Sequence, residues 1–192
     1  MSKTARLRAP QGIQALILFV LMTPALFAFQ TESEGEVSAF GGGTFGLGTH
    51  PSVGGSTGLQ FSKYGIALVE TVFTPMGEDT LRKRTGEPAS SSRLYDFNTS
   101  FHIQVPVREK IVPYGIVGIG LLFDSFKAAT GPNGAVVGFD EFNFAFHTGG
   151  GVRYHVTENW GIRPEFKVIV SHRTFTRLTV GVFYKLPPGW PW

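Results

Sequence analysis

Groups that could cooperate in chemistry are few and thinly placed in this chain. The segment Ser171-His172-Arg173-Thr174 sets hydroxyls beside an imidazole, the start of a nucleophilic device. Such a device also needs a group that orients the base, and no acidic residue follows Glu165. His147 and His155 share a parity, but eight residues of strand separate them by about 27 Å, so they cannot share a metal ion. Gly41-Gly42-Gly43-Thr44 lacks the Gly-Lys-Ser/Thr of a phosphate-binding loop, and no helical pattern follows it. Asn98-Thr99-Ser100 fits a glycosylation sequon but lies inside a strand pattern. No catalytic, cofactor-binding or metal-binding set emerges. What does gather is charge: Arg153, Arg163, Glu165 and Lys167 recur at odd positions near the end of the chain. Cations grouped about one carboxylate do electrostatic work, and its value depends on whether water is excluded.

The elements that would hold them are strands. From Glu141 to Leu186 the even positions read Phe142, Phe144, Phe146, Val152, Tyr154, Trp160, Ile162, Phe166, Val168, Val170, Leu178, Val180, Val182 and Tyr184. The odd positions carry Asn143, His147, Gly149, Gly151, Arg153, Arg163, Glu165, Lys167, Arg177, Thr179, Gly181 and Lys185. Alternation of this kind is strand periodicity. The polar face combines small residues with opposite charges, as the inside of a narrow barrel would. Apolar out and polar in is the pattern of a transmembrane β-barrel.

Composition agrees. Of 192 residues 14% are aromatic and only 16% charged, with 25 Gly, no Cys and a net charge of +3. Lacking Cys, the chain has no disulfide, zinc ribbon or acylated cysteine. Its basic excess is spread along the chain rather than clustered, which speaks against a nucleic-acid surface.

Residues 1–28 read as a secretory signal peptide: Lys3, Arg6 and Arg8, an apolar Ile13 to Met22, and Thr23-Pro24-Ala25-Leu26-Phe27-Ala28 as the cleavage region. Cleavage is expected after Ala28, with Ala25 as the fallback. Residues 29–35 form a polar leader, and 36–192 the barrel domain. The mature protein should therefore begin near Phe29. Mass spectrometry finding Met1 or Ser2 intact on membrane-fraction protein would refute export through this segment.

The barrel domain reads as eight strands, roughly 36–48, 52–62, 64–74, 93–105, 110–125, 140–156, 159–171 and 174–186. Ser62-Lys63-Tyr64, Pro106 to Glu109 and Thr157-Glu158-Asn159 are short connections, whereas 74–93 and 126–140 read as long loops. An even strand count puts both termini at the short-turn end. The third and fifth strands are apolar on both faces and leave their orientation open. At eight strands the interior is just wide enough for side chains to fill it.

Three pieces carry a resemblance: Val112-Pro113-Tyr114-Gly115-Ile116-Val117-Gly118-Ile119-Gly120, Gly149-Gly150-Gly151-Val152-Arg153-Tyr154, and Trp160-Gly161-Ile162-Arg163-Pro164-Glu165-Phe166. With them the chain resembles the small outer-membrane β-barrels of the OmpA/OmpX-like type. Its last strand is similar to the assembly signal of such barrels, with Thr179, Gly181, Tyr184 and Leu186 in the polar, glycine, aromatic and apolar places. The tail Pro187-Pro188-Gly189-Trp190-Pro191-Trp192 departs from that pattern. The resemblance implies an integral outer-membrane protein with a structural or surface-loop role, no enzymatic activity and no cofactor. It implies outer-membrane lipid and lipopolysaccharide as surroundings, with barrel assembly machinery and periplasmic chaperones as partners in transit. It leaves open what the surface loops bind.

Two other readings compete. Some eight-stranded outer-membrane barrels are lipid A deacylases with a His-x-Ser pair; here His172 would have to work with Thr174 and without the acid in the final strand. A soluble periplasmic lipocalin-like binding barrel would turn the apolar face inward. A register can also be set. Ladder partners share a face, so their numbers sum to an even value in both closing hairpins. Loops at Thr157-Glu158-Asn159 and His172-Arg173-Thr174 then place Glu165 opposite Gly151 and Gly181, with Arg153 diagonal to it.

Overall fold

The computed structural model describes residues 34–76, 89–108, 110–130 and 135–187, without the side chains of 89–91 and 126–139. The expected signal peptide, most of the leader and the tail beyond Pro187 lie outside these residues. Eight antiparallel strands form a closed barrel in sequence order: β1 Glu34–Phe45, β2 Thr49–Ser62, β3 Gly65–Met76, β4 Ala89–Gln104, β5 Ile111–Thr130, β6 Ala135–His155, β7 Trp160–Val170 and β8 Thr174–Leu186. Closure is between β1 and β8, from Gly35↔Leu186 to Phe45↔Thr176. Glu34 and Gly35, expected in the leader, already belong to β1.

Charged and polar side chains point in and apolar ones point out. Val180, Phe144 and Ile103 are 56%, 56% and 60% exposed, whereas Glu36, Glu70, Asp96 and Arg153 are at most 1% exposed. This orientation overturns the lipocalin-like reading, which needs the opposite. In β3 and β5 the even residues face inward, among them Ile66, Leu68, Glu70 and Val72 of β3 and Val112, Tyr114, Ile116 and Leu122 of β5. Periodicity could not orient these strands because both of their faces are largely apolar.

Aromatic residues ring the outer surface at two levels. Near the end that carries the β3–β4 and β5–β6 connections, Phe73, Tyr95, Phe123 and Phe142 occupy successive rungs of β3 to β6. Their ring centroids are 5.2, 6.1 and 4.7 Å apart in turn. Near the end that carries the termini, Tyr64, Tyr154, Trp160 and Tyr184 are exposed. An apolar band between two aromatic girdles is what a bilayer selects.

One register expectation and one loop expectation require correction. The β6–β7 hairpin places Gly151 opposite Glu165 as expected. The β7–β8 hairpin closes one residue earlier, at Ser171-His172-Arg173, where the Ser171 N–H donates to the Arg173 carbonyl at 3.1 Å. Glu165 therefore faces Thr179, and Gly181 faces Arg163. Parity admits both closures, and the backbone bond across Ser171 and Arg173 selects this one. The expected long loop 126–140 is also mostly strand: β5 and β6 stay paired out to Thr130↔Ala135. Its glycines and charges read as loop, but the β-branched and aromatic residues between them continue the ladder.

Candidate functional site

The interior is built in layers, each set by inward positions of several strands. Toward the connection end Met76, Leu94, Leu122, Ala145, Ile169 and Phe175 form an apolar layer, with Leu47 packed against it. Below it Arg177 donates to Asp96 at 2.6 Å and through Nε to Thr44 at 3.3 Å. Thr44, Ser52 and Thr74 continue as a hydroxyl chain at 2.7 and 2.8 Å.

The central layer holds the predicted residues. Lys167 Nζ bridges Glu70 and Glu165, in close contact with the first and 3.0 Å from the second. Arg163 reaches three carboxylates: Glu36 at 3.4 Å, Glu70 at 3.5 Å and Glu165 at 3.5 Å. It also donates to Ser38 Oγ at 3.3 Å. The Tyr114 hydroxyl donates to Glu165 at 2.8 Å.

Arg153 does not join the others on Glu165. Its fork engages Glu36 with both terminal nitrogens, one in close contact and one at 3.0 Å. The bidentate match of guanidinium to carboxylate explains the choice. Arg163 and Lys167 thus meet at Glu165, while Arg153 belongs to a neighbouring carboxylate that Arg163 links to the same network. The room expected at these two glycines is taken by aromatic residues. A Cβ at Gly151 would lie 2.6 Å from Tyr114 Cζ, and one at Gly181 would lie 2.7 Å from Phe40 Cβ.

Glu36, Glu70, Tyr114 and the Asp96–Arg177 pair were not singled out from sequence. Charge neutrality was the available signal. Four inward cations in a narrow lumen require about as many carboxylates, and Glu36, Glu70 and Asp96 are acids inside strand patterns. Among the described residues below the apolar layer, Glu36, Glu70, Asp96 and Glu165 balance Arg153, Arg163, Lys167 and Arg177, all at most 4% exposed, while the buried Asp124 lies beside that layer at a small cavity. Burial without such pairing would cost several kcal/mol per ion, about the effective penalty of desolvation.

Glu70, His102 and Glu165 bring ligand-type atoms within 4.8 Å of one another. The cation there is already supplied: the Lys167 ammonium sits between the two carboxylates and Arg163 flanks them. A divalent ion would meet two fixed positive charges. His102 instead stacks on Tyr114 at 4.7 Å.

The other sequence-marked residues lie apart. Thr179 is buried, Gly181 faces inward, Tyr184 faces outward and Leu186 ends β8 opposite Gly35. Gly41 to Thr44 are plain strand within β1. His172 is exposed in the β7–β8 turn and, with Arg173, Asp124 and Asn143, rims a small cavity floored by the apolar layer. An acid therefore does reach the mouth where His172 sits, supplied by β5 rather than by the final strand. Ser171 Oγ donates to the Phe144 carbonyl at 2.7 Å, and among the described residues no hydrogen bond joins Thr174 to His172.

The sequence model described as outer membrane protein beta-barrel domain matches residues 17–190. No curated protein matches the sequence. Similar solved structures include Neisserial surface protein A, at 17% identity and TM-score 0.53, covering 80% of this chain and 97% of that one. The N-terminal β-barrel domain of Pseudomonas aeruginosa OprF is 15% identical at TM-score 0.54, covering 80% and 97%. A major outer membrane protein from Thermus thermophilus is 8% identical at TM-score 0.58, covering 79% and 99%. At these identities the likeness is one of fold.

Proposed function

The chain belongs to the outer membrane protein β-barrel domain family, and from that premise we propose that it is a closed, non-enzymatic barrel whose working parts face outward. It resides in the bacterial outer membrane, among the lipids of that membrane. The observation that supports a closed interior is the balanced set of buried charges beneath an apolar layer. An eight-stranded lumen filled in this way leaves no path for metabolites. The termini lie on the periplasmic side and the β3–β4 and β5–β6 connections outside, the arrangement usual for such barrels. Thr179, Gly181, Tyr184 and Leu186 serve as the signal read by the barrel assembly machinery before β8 closes onto β1. Arg153, Arg163, Glu165 and Lys167, with their partner acids, hold the closed lumen together.

Purified protein in planar bilayers should show no steady conductance above that of the empty bilayer, and should release no fatty acid from lipid A. Stable ohmic steps would overturn the closed interior. Fatty-acid release abolished by His172→Ala would instead establish the hydrolase, with Asp124 as the natural candidate to orient its base.

A further inference from the structure

The end of the barrel that carries the termini is not alike all round. β2 turns into β3 at Ser62-Lys63-Tyr64, and β4 into β5 through Val105-Pro106-Val107-Arg108-Glu109-Lys110. Backbone bonds fix these two turns side by side. The Gln104 N–H donates to the Tyr64 carbonyl at 2.8 Å, and the Val105 N–H to the Pro113 carbonyl at 2.9 Å. The Ile111 N–H closes on the Arg108 carbonyl at 3.3 Å. Lys63, Arg108 and Lys110 are exposed, and among the described residues none of them is in an ion pair. Lys63 Nζ lies 4.9 Å from the centroid of the Tyr64 ring, which belongs to the aromatic girdle at this end.

The β4–β5 turn is apolar where a turn in water would be polar. Val105 is 57% exposed and Val107 65%. Phe61 and Ile103 face outward beside them. Apolar anchors with cations just beyond them suit a segment seated at the level of lipid headgroups. The other half of the same end is built differently. Its β6–β7 turn is Thr157-Glu158-Asn159, where Thr157 Oγ1 accepts from the Asn159 and Trp160 N–H groups at 3.3 and 3.2 Å. Glu158 is exposed there, and Lys185 is paired with Glu34 at 3.3 Å. Among the described residues, the unpaired cations of this end therefore gather in the sector from β2 to β5.

We propose that this sector binds the headgroup of an anionic glycerophospholipid of the inner leaflet. The inference deepens the outer-membrane reading above and takes its leaflet from the orientation given there. Two inter-strand spacings separate the turns, about 10 Å. A phosphodiester between them meets Lys63 on one side and Arg108 and Lys110 on the other. Arg108 can offer parallel N–H donors to two phosphate oxygens, while the lysines act as point charges. Three cations less the one acid of the turn, Glu109, leave two positive charges. That surplus favours a lipid of net negative charge over a zwitterionic one. The acyl chains then follow the outward faces of Phe61 and Ile103.

The test uses the full mature protein in detergent, titrated with dioleoyl phosphatidylglycerol, dioleoyl phosphatidylcholine or inorganic phosphate and read by native mass spectrometry. Phosphatidylglycerol should be retained at least about tenfold more tightly than phosphatidylcholine, the scale that a few basic residues give at an anionic surface. It should also slow amide hydrogen exchange at Lys63, Val107, Arg108 and Lys110. Combining Lys63→Gln, Arg108→Gln and Lys110→Gln should abolish the preference, whereas Arg93→Gln with Arg173→Gln, at the other end, should leave it unchanged. Heat-modifiable gel migration confirms that both variants are folded, and the exchange measurement on the unaltered protein stands without them. Equal retention of the two lipids by the unaltered protein, or a preference that survives the triple variant, would overturn the site. Inorganic phosphate that displaces phosphatidylglycerol at equal concentration would overturn the lipid as its occupant. The leaflet is read separately, since Lys63→Cys should resist a membrane-impermeant maleimide in intact cells and react after lysis. Labelling in intact cells would overturn the inner leaflet and the orientation beneath it, whereas loss of lipid preference alone leaves that orientation and the closed barrel intact.

Discussion

Replacing Arg163 with methionine should lower the unfolding free energy by about 3–5 kcal/mol, the range for breaking one partner of a buried ion network. Arg163 is 2% exposed and lies within 3.5 Å of Glu36, Glu70 and Glu165. Methionine keeps the bulk of the side chain and removes the cation that links the three carboxylates. The lumen then passes from four acids facing four bases to four facing three. Glu165→Gln alone should cost less, because Arg163 keeps Glu36 and Glu70 and Lys167 keeps Glu70. Adding Glu165→Gln to Arg163→Met restores the balance of charge and should recover part of the loss. Denaturant unfolding in lipid vesicles, followed by gel migration, measures all three. A loss for Arg163→Met within about 1 kcal/mol would mean a hydrated lumen with surface-like pairs, and the closed interior would fall with it.

How legible this arrangement was depended on contrast between the two faces of each strand. In β4, β7 and β8 polar and apolar residues alternate, so strand limits and orientation came within a few residues of the final ladder. Strands β3 and β5 carry Ile66, Leu68, Val112 and Ile116 inside the barrel and apolar residues outside it, which erases the signal. With β3 went Glu70, and with β5 went Tyr114, the two residues that complete the surroundings of Lys167 and Glu165. Glu36 was lost for another reason, since it sits near the start of a strand whose pairing with β8 is set by closure. Arg153 was placed on the right face but given the wrong partner, because diagonal proximity on a ladder says nothing of a bidentate acceptor arriving from β1. The outer reach of β5 and β6 was hidden by composition: residues 126–140 contain enough Gly, Pro and Asp to read as loop, yet the pairing of 126–130 with 135–139 continues the ladder below it.

Placing an arginine at Val180 should cost about 2–4 kcal/mol, the penalty of a cation at mid-bilayer on the lipid face of a barrel. Val180 is the middle residue of β8 and is 56% exposed on the outer surface. An exposed valine on a water-facing sheet would tolerate arginine almost without cost, as surface substitutions do. The change therefore separates a membrane barrel from a soluble one. Depth gives a second handle on the same strand. Tyr184 lies opposite Trp160 at the girdle, and Tyr184→Arg should cost much less, since the penalty falls to about 0–1 kcal/mol near the interface. Thr179 supplies the opposite face. It is buried and directly opposite Glu165, so Thr179→Lys brings its charge to a carboxylate rather than to hydrocarbon. Its cost is mainly crowding and should fall below that of Val180→Arg. The expected order is Val180→Arg above Thr179→Lys, with Tyr184→Arg also below Val180→Arg, read as shifts in urea-refolding midpoints in vesicles. If Thr179→Lys proves clearly the worst, the barrel is inside out. If Val180→Arg and Tyr184→Arg cost the same, no bilayer surrounds β8.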